Sequence, residues 1–311
     1  GRLRLESGTG RSRRPDFLGG GKEMARRNAL MARWARVLVL GLLASGAASA
    51  DEAAQHAQGT QVGTQWTFGS TPVWQDEFDG EGVPDPARWS YDTGGHGWGN
   101  NELQYYTDKP ANAFVSDGLL TIVAHRQRAG KLRYSSARLV SRGKGDFRYG
   151  RIEFRARLPV ARGSWPALWM LPTDNKYGNW PRSGEIDIME HVGFDRGVVH
   201  QTVHTQAYNH TKGTQRAAQK RVEELDTKFH RYRVDWTPDY IHGYIDDEKV
   251  FEFANEGSGP DAWPFDQRFH LLMNLAVGGN WAGQQGVDDE AFPIWMEVDY
   301  VRVYPLENAP Q

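Results

Sequence analysis

Cysteine is absent from the 311-residue chain, which excludes disulfides, thiolate metal sites and cysteine nucleophiles together. An excess of one charge is also missing. With 37 Lys+Arg against 39 Asp+Glu the formal net charge is −2, so a basic surface that grips nucleic acid is not expected. No apolar run approaches the roughly 20 residues that a membrane span needs; the best candidate, Val37 to Leu43, is far shorter. No internal repeat and no strand–helix alternation is visible, which argues against solenoid and doubly wound folds. Wholesale disorder is excluded by 39% hydrophobic and 24% charged residues. What is plentiful is glycine (35), proline (15) and tryptophan (12). Turns and flat apolar rings in that proportion favour an all-β protein and suit a sugar binder.

The N-terminal fifty residues read as something other than a folded domain. From Met24, Arg26, Arg27, Arg33 and Arg36 precede the apolar stretch, and Ala48-Ser49-Ala50 offers a cleavage site before Asp51. That is the layout of a secretory signal peptide, 24–50, so a secreted product, extracellular or periplasmic, is expected. Residues 1–23 carry scattered arginines without hydrophobic pattern and read as a non-native or mis-started extension. Residues 51–70 are polar and aperiodic and predict a flexible lead-in. Residues 71–311 are expected to form one catalytic domain. Without its first fifty residues the chain keeps 27 basic and 36 acidic residues, a net −9. Such a balance suits an uncharged polymer better than a polyanion.

From Thr71 onward, short runs of period-two alternation recur between Gly, Pro, Asn and Asp clusters. Between Gly150 and Leu158, Ile152, Phe154, Ala156 and Leu158 share one face while Arg151, Glu153, Arg155 and Arg157 share the other. Further strands are predicted at 119–123, 232–236, 240–245, 249–253, 269–277 and 295–304. Residues 221–227 predict one short helix. Trp74, Trp236 and Trp295 sit in strand patterns and are expected to pack. The economical architecture is a β-sandwich of two antiparallel sheets.

The chemistry concentrates in Gly184-Glu185-Ile186-Asp187-Ile188-Met189-Glu190-His191-Val192-Gly193. Glu185 and Asp187 share a strand face, but strict alternation would put Met189, not Glu190, beside them. A β-bulge near Ile188–Met189 would return Glu190 to its partners' face, and bulges are common beside active sites. A plain structural strand gains nothing from three mutually repelling acids. The arrangement makes sense where one carboxyl keeps its proton and serves as a general acid. A solvated acidic face is the bland alternative. A metal cluster with His191 is disfavoured because that ring should point away. Two glutamates with a mediating aspartate suit glycoside hydrolysis by the retaining route, although the motif alone leaves open which glutamate attacks.

E-x-D-x-x-E at Glu185, Asp187 and Glu190 resembles the signature of glycoside hydrolase family 16. The resemblance extends from Trp74 to Tyr304, through Trp98 to Thr107, Gly163 to Pro172 and Gly278-Gly279-Asn280-Trp281. The extra Met189 resembles the laminarinase-like branch, the endo-β-1,3-glucanases. It implies a β-jelly roll with a concave cleft, Glu185 as nucleophile, Glu190 as acid/base and Asp187 as their helper, with no cofactor needed for catalysis. It also implies that Trp165, Trp169 and Trp180 line the cleft, that Asn101 and Arg138 contact sugar hydroxyls on the non-reducing side, and that His204 lies beside the acid/base. Trp281 and Glu102 are further cleft candidates. Each has a duller reading: a core tryptophan, a satisfied structural histidine, an arginine paired with a nearby acid.

By the same resemblance a structural Ca²⁺ is implied at Glu77 and Gly118, through carbonyls, and at Asp299. All-oxygen ligation suits that hard cation. The expected partner is a β-glucan, either β-1,3-linked as in laminarin or mixed-linkage β-1,3-1,4; neither nucleic acid nor, after leader removal, membrane is expected, and the enzyme should be monomeric. Alternatives are a non-catalytic glucan-binding module on the same fold, or a sibling hydrolase or transglycosylase acting on agarose, carrageenan or xyloglucan.

Overall fold

The computed structural model describes residues 64–309. The predicted extension, the leader and most of the lead-in lie outside them. In chain order the strands are β1 (Trp74–Asp76), β2 (Ser90–Tyr91), β3 (Gln104–Tyr106), β4 (Ala113–Ser116), β5 (Leu119–Ala124), β6 (Tyr134–Ser136), β7 (Arg138–Val140), β8 (Asp146–Phe147) and β9 (Gly150–Arg157). They continue as β10 (Ser164–Pro172), β11 (Glu185–His191), β12 (Val198–His204), β13 (Arg216–Arg221), β14 (His230–Trp236), β15 (Tyr240–Ile245), β16 (Glu248–Ala254), β17 (Phe269–Val277) and β18 (Ile294–Tyr304).

Two eight-stranded antiparallel sheets account for nearly all of them. One runs β13-β12-β11-β10-β17-β7-β2, with β8 also on β17; the other runs β16-β15-β14-β9-β18-β5-β4, with β1 also on β18. Neighbours such as β9 and β18 are far apart in sequence, which is the jelly-roll arrangement expected. Apolar alternation drives the packing. Ile152, Phe154 and Ala156 of β9 and Val234 and Trp236 of β14 share a core with Leu168 and Met170 of β10 and Ile186, Ile188 and Met189 of β11. Tens of such side chains, at about 1.5–3 kcal/mol each, explain how the domain manages without a disulfide.

Three expectations are corrected. Residues 64–70 are not a loose lead-in: Phe68 bridges Leu306, Gly69 N–H donates to the Pro305 carbonyl, and Asn308 Nδ2 donates to the Gln65 carbonyl. The fold therefore begins before Thr71. Residues 223–227 form turns, not a helix. Glu224 lies at φ 58, outside helical space, and Leu225 gives its carbonyl to Leu158 N–H at the end of β9. Trp295 is 50% exposed, because in β18 the inward positions belong to Ile294 and Met296. Trp236 is buried, and Trp74 packs edge-on against Trp89 at 5.4 Å.

Candidate active site

Strand β11 carries the acids, and its pairing shows the irregularity that the spacing demands. Trp169 of β10 pairs with Asp187 and Leu168 with Met189, so Ile188 is skipped; on the other side the register with β12 shifts between Asp187 and Glu190. Ile186, Ile188 and Met189 all enter the core, which turns Glu185, Asp187 and Glu190 to the opposite face. The displaced Ile188 carbonyl accepts a 2.9 Å hydrogen bond from Gln201 Nε2 of β12. Gly243 of the facing sheet makes this feasible, since a Cβ there would sit 2.4 Å from Gln201 Oε1.

Each glutamate has an indole donor. Trp180 Nε1 donates to Glu185 Oε2 at 2.8 Å, and Trp165 Nε1 donates to Glu190 Oε1 at 3.0 Å. All three carboxyls are pushed upward, in each case first by burial. Glu185 rises to about 8, with Asp187 adding repulsion; Glu190 rises to about 7, with Glu185 adding repulsion. Asp187, 3% exposed, is raised well above its ordinary value, burial being followed by repulsion from Glu190. The three share protons rather than titrating singly. The Trp180 donor and nearby His204 favour an ionised Glu185. Asp187, the most buried of the three and raised furthest from its ordinary range by that burial and by Glu190, is the natural seat of a retained proton.

The other expected residues converge on the same face. Arg138, Asn274, Ala167, Glu190 and His200 form one cross-strand row from β7 to β12. The Arg138 guanidinium lies 4.7 Å from the Trp98 ring and 4.8 Å from that of Trp169, and its Nε is 3.0 Å from Asp92 Oδ2. The duller reading of Arg138, an acid partner, thus holds alongside its place in the cleft wall. Trp169 Nε1 donates to Asn274 Oδ1 at 2.7 Å. Trp281 packs edge-on against Trp165 and His200. Asn101, at φ 54, donates to Asn280 Oδ1. A pocket of about 200 Å³, lined in part by Asp92, Arg138, Trp180, Gly184 and His270, opens beside Glu185.

His204 is the correction. It faces Glu185 across the β11–β12 pair, with Nε2 3.8 Å from Glu185 Oε1 and 3.3 Å from Asp187 Oδ2, whereas the cross-strand neighbour of Glu190 is His200. His191 points into the other side as expected, fully buried and held near 4, chiefly by burial, so that it stays neutral.

The sequence also hid a polar network behind the row. Glu102 accepts from Gln104 Nε2 at 2.6 Å, and Tyr106 links it to Asn274; burial raises the Glu102 carboxyl. Only the cluster Gly99-Asn100-Asn101-Glu102 hinted at it. Glu77, Gly118 and Asp299 gather elsewhere, at one end of the other sheet, where β1 and β5 flank a register shift in β18 between Val298 and Tyr300. There the Glu77 carboxylate forks onto Arg302 and Arg155 pairs with Asp299 Oδ2. The Glu77 and Gly118 carbonyls with Asp299 Oδ1 would make an all-oxygen set, whose chemistry suits calcium.

With this geometry in place, comparison with known proteins is decisive. Residues 100–302 match the model of glycosyl hydrolases family 16. The chain belongs to this family and is a glycoside hydrolase. A β-glucanase of Rhodothermus marinus is 58% identical over 240 residues, covering 75% of this chain and 84% of that one. The solved structure of a laminarinase from Rhodothermus marinus superposes with a TM-score of 0.75 at 55% identity, covering 78% of this chain and 98% of its own. A glucan endo-1,3-beta-glucosidase of Cryptopygus antarcticus is 37% identical over 249 residues, 74% and 90% of the two chains.

Proposed function

We propose that this family 16 enzyme cleaves internal bonds of β-1,3-glucan of the laminarin type, or of mixed-linkage β-1,3-1,4-glucan, with retention of configuration. The observation that carries the reading is the pair Glu185 and Glu190 on one strand face, each held by a tryptophan N–H and separated by a bulge. Relatives acting on β-1,3-glucan support the substrate. The tryptophan-lined face suits a neutral sugar chain, whose C–H faces stack on indole rings.

In the first step the Glu185 carboxylate attacks the anomeric carbon. The glycosidic C–O bond breaks, and Glu190 passes its proton to the leaving oxygen. A glycosyl ester on Glu185 results. In the second step Glu190, now ionised, takes a proton from water while the water oxygen attacks the same carbon. The ester bond breaks and Glu185 leaves as a carboxylate. The proton on Asp187 steadies Glu185 as charge appears on it and disappears. Trp180 orients the nucleophile and Trp165 the acid. The protein is exported before it acts, and one Ca²⁺ held by Glu77, Gly118 and Asp299 is structural.

Incubation of the purified protein with laminarin, lichenan, agarose and xyloglucan tests the reading. Laminarin or lichenan should yield oligosaccharides whose new reducing ends first appear by NMR as the β anomer. Release from none of the four, or initial α anomer, would overturn it.

A further inference from the structure

Three side-chain atoms at the heart of the cluster face the same point. Asp187 Oδ2 is buried without a partner. Glu185 offers Oε1, because Trp180 takes Oε2. His204 Nε2 lies 3.3 Å from the first and 3.8 Å from the second, and one donor atom from each residue falls within 4.8 Å of the others. Among the described residues this is the only such gathering of three metal-type donors.

We propose that the catalytic cluster is also a binding site for a borderline divalent transition metal such as Zn²⁺, ligated by Glu185, Asp187 and His204, so that metal and sugar exclude each other. The geometry favours it. Tetrahedral Zn²⁺ with bonds near 2.0–2.1 Å sets its ligands roughly 3.3 Å apart, which is the spacing of Asp187 Oδ2 and His204 Nε2. Glu185 Oε1, 3.8 Å from His204 Nε2, has to draw in by about half an ångström to take the third corner. Glu185 is also the most exposed of the three, 16% by side chain against 3% and 8%, so the fourth corner opens to the cleft and takes water. An imidazole with two carboxylates selects Zn²⁺, Co²⁺, Ni²⁺ or Cu²⁺ over Ca²⁺ and Mg²⁺, which prefer oxygen alone. Binding neutralises two carboxylates crowded in a dry site, whose mutual repulsion otherwise opposes their joint ionisation. The same ion covers the nucleophile. The site is inhibitory, distinct in place and in ligand chemistry from the carbonyl-rich calcium position at Asp299.

The test is calorimetric titration of ZnCl₂ into tag-free, chelator-treated full-length protein, repeated with CaCl₂ and with laminaritetraose present. One Zn²⁺ per chain should bind, unaffected by calcium and weakened by the oligosaccharide. Co²⁺ in its place should give visible d–d bands of low coordination number. His204→Gln and, separately, Asp187→Asn should weaken binding beyond the roughly tenfold that losing an outer-shell partner costs, and should remove the cobalt bands while circular dichroism stays native. Laminarin hydrolysis should fall with the same Zn²⁺ midpoint and return with chelator. Absence of zinc binding would overturn the proposal. So would zinc affinity that is indifferent to both substitutions, which would place the ion elsewhere, for example on the exposed His96.

Discussion

Glu185→Gln should make the enzyme inactive and more stable, with a gain that depends on pH. Glutamine keeps the shape of the side chain and can still accept the Trp180 hydrogen bond, but it cannot ionise. In the wild type, burial and the neighbouring Asp187 raise the Glu185 carboxyl from 4.5 to about 8. Below the unfolded value both states are protonated and the group costs nothing. Between 4.5 and 8 the unfolded glutamate ionises freely, while the folded cluster of Glu185, Asp187 and Glu190 resists the additional charge by retaining shared protons, so stability is lost as pH rises. Above 8 the loss is complete and constant. At pH 7 the interval is two and a half units at about 1.4 kcal/mol each, an upper limit of roughly 3–4 kcal/mol. Sharing of protons with Asp187 and Glu190 reduces what one substitution can release, to about 1–3 kcal/mol. For a domain of this size that is roughly 2–10 °C in Tm. Calorimetry of wild type and variant at pH 4, 7 and 9 should show no difference at the first and the full gain at the last. A gain at pH 4 equal to that at pH 9, or a loss at pH 9, would refute the claim that buried charge sets the sign.

Other consequences are more local. The proton that Glu190 must donate is held by a group raised to about 7, so kcat/KM should fall as pH rises through that region; Trp165→Phe removes a hydrogen bond that favours the ionised form and should shift this alkaline limb upward. A limb unmoved by the substitution would detach Trp165 from the acid. Gln201→Leu strands the Ile188 carbonyl and should cost about 1–3 kcal/mol in urea denaturation and lower kcat more than it raises KM; a variant of normal stability and rate would show that the bulge needs no support. Millimolar EDTA should lower Tm without altering the initial rate at 25 °C, and Asp299→Ala should abolish that sensitivity. An EDTA effect that survives the substitution would move the calcium elsewhere.

The fold was legible where strands have one wet face. Ile152, Phe154 and Ala156 announced β9 because arginines alternate with them, and Thr237-Pro238-Asp239 marked the turn between β14 and β15. The acids of β11 were legible for a different reason: Glu190 breaks the period of two, and only a bulge or a different element accommodates that. β17 was placed at its observed bounds without any alternation to mark a wet face, for its nine residues are all buried, the outer face lying under Trp169 and the Glu102 network. Alternation failed to tell which side of β18 meets the core at Trp295. His204 was found as a site residue but set beside the wrong glutamate, because its partner follows from the β11–β12 register, which periodicity does not fix.

Gln201 shows why the remainder stayed hidden. A glutamine at the core face of a strand breaks the hydrophobic pattern, and taken alone it argues against that strand assignment. Its meaning depends on two other places in the chain: the bulge that frees the Ile188 carbonyl, and the glycine at 243 that leaves room for the amide. Burying an amide without partners would cost about 1–3 kcal/mol; here Nε2 donates to the bulge carbonyl of Ile188 and to the carbonyl of Tyr244, while Oε1 is buried without a partner. The bulge in turn is tolerable only where something accepts from or donates to its displaced peptide. The acid pair that performs the chemistry therefore rests on a polar group inside the apolar core. Catalytic spacing and core packing are settled by the same peptide.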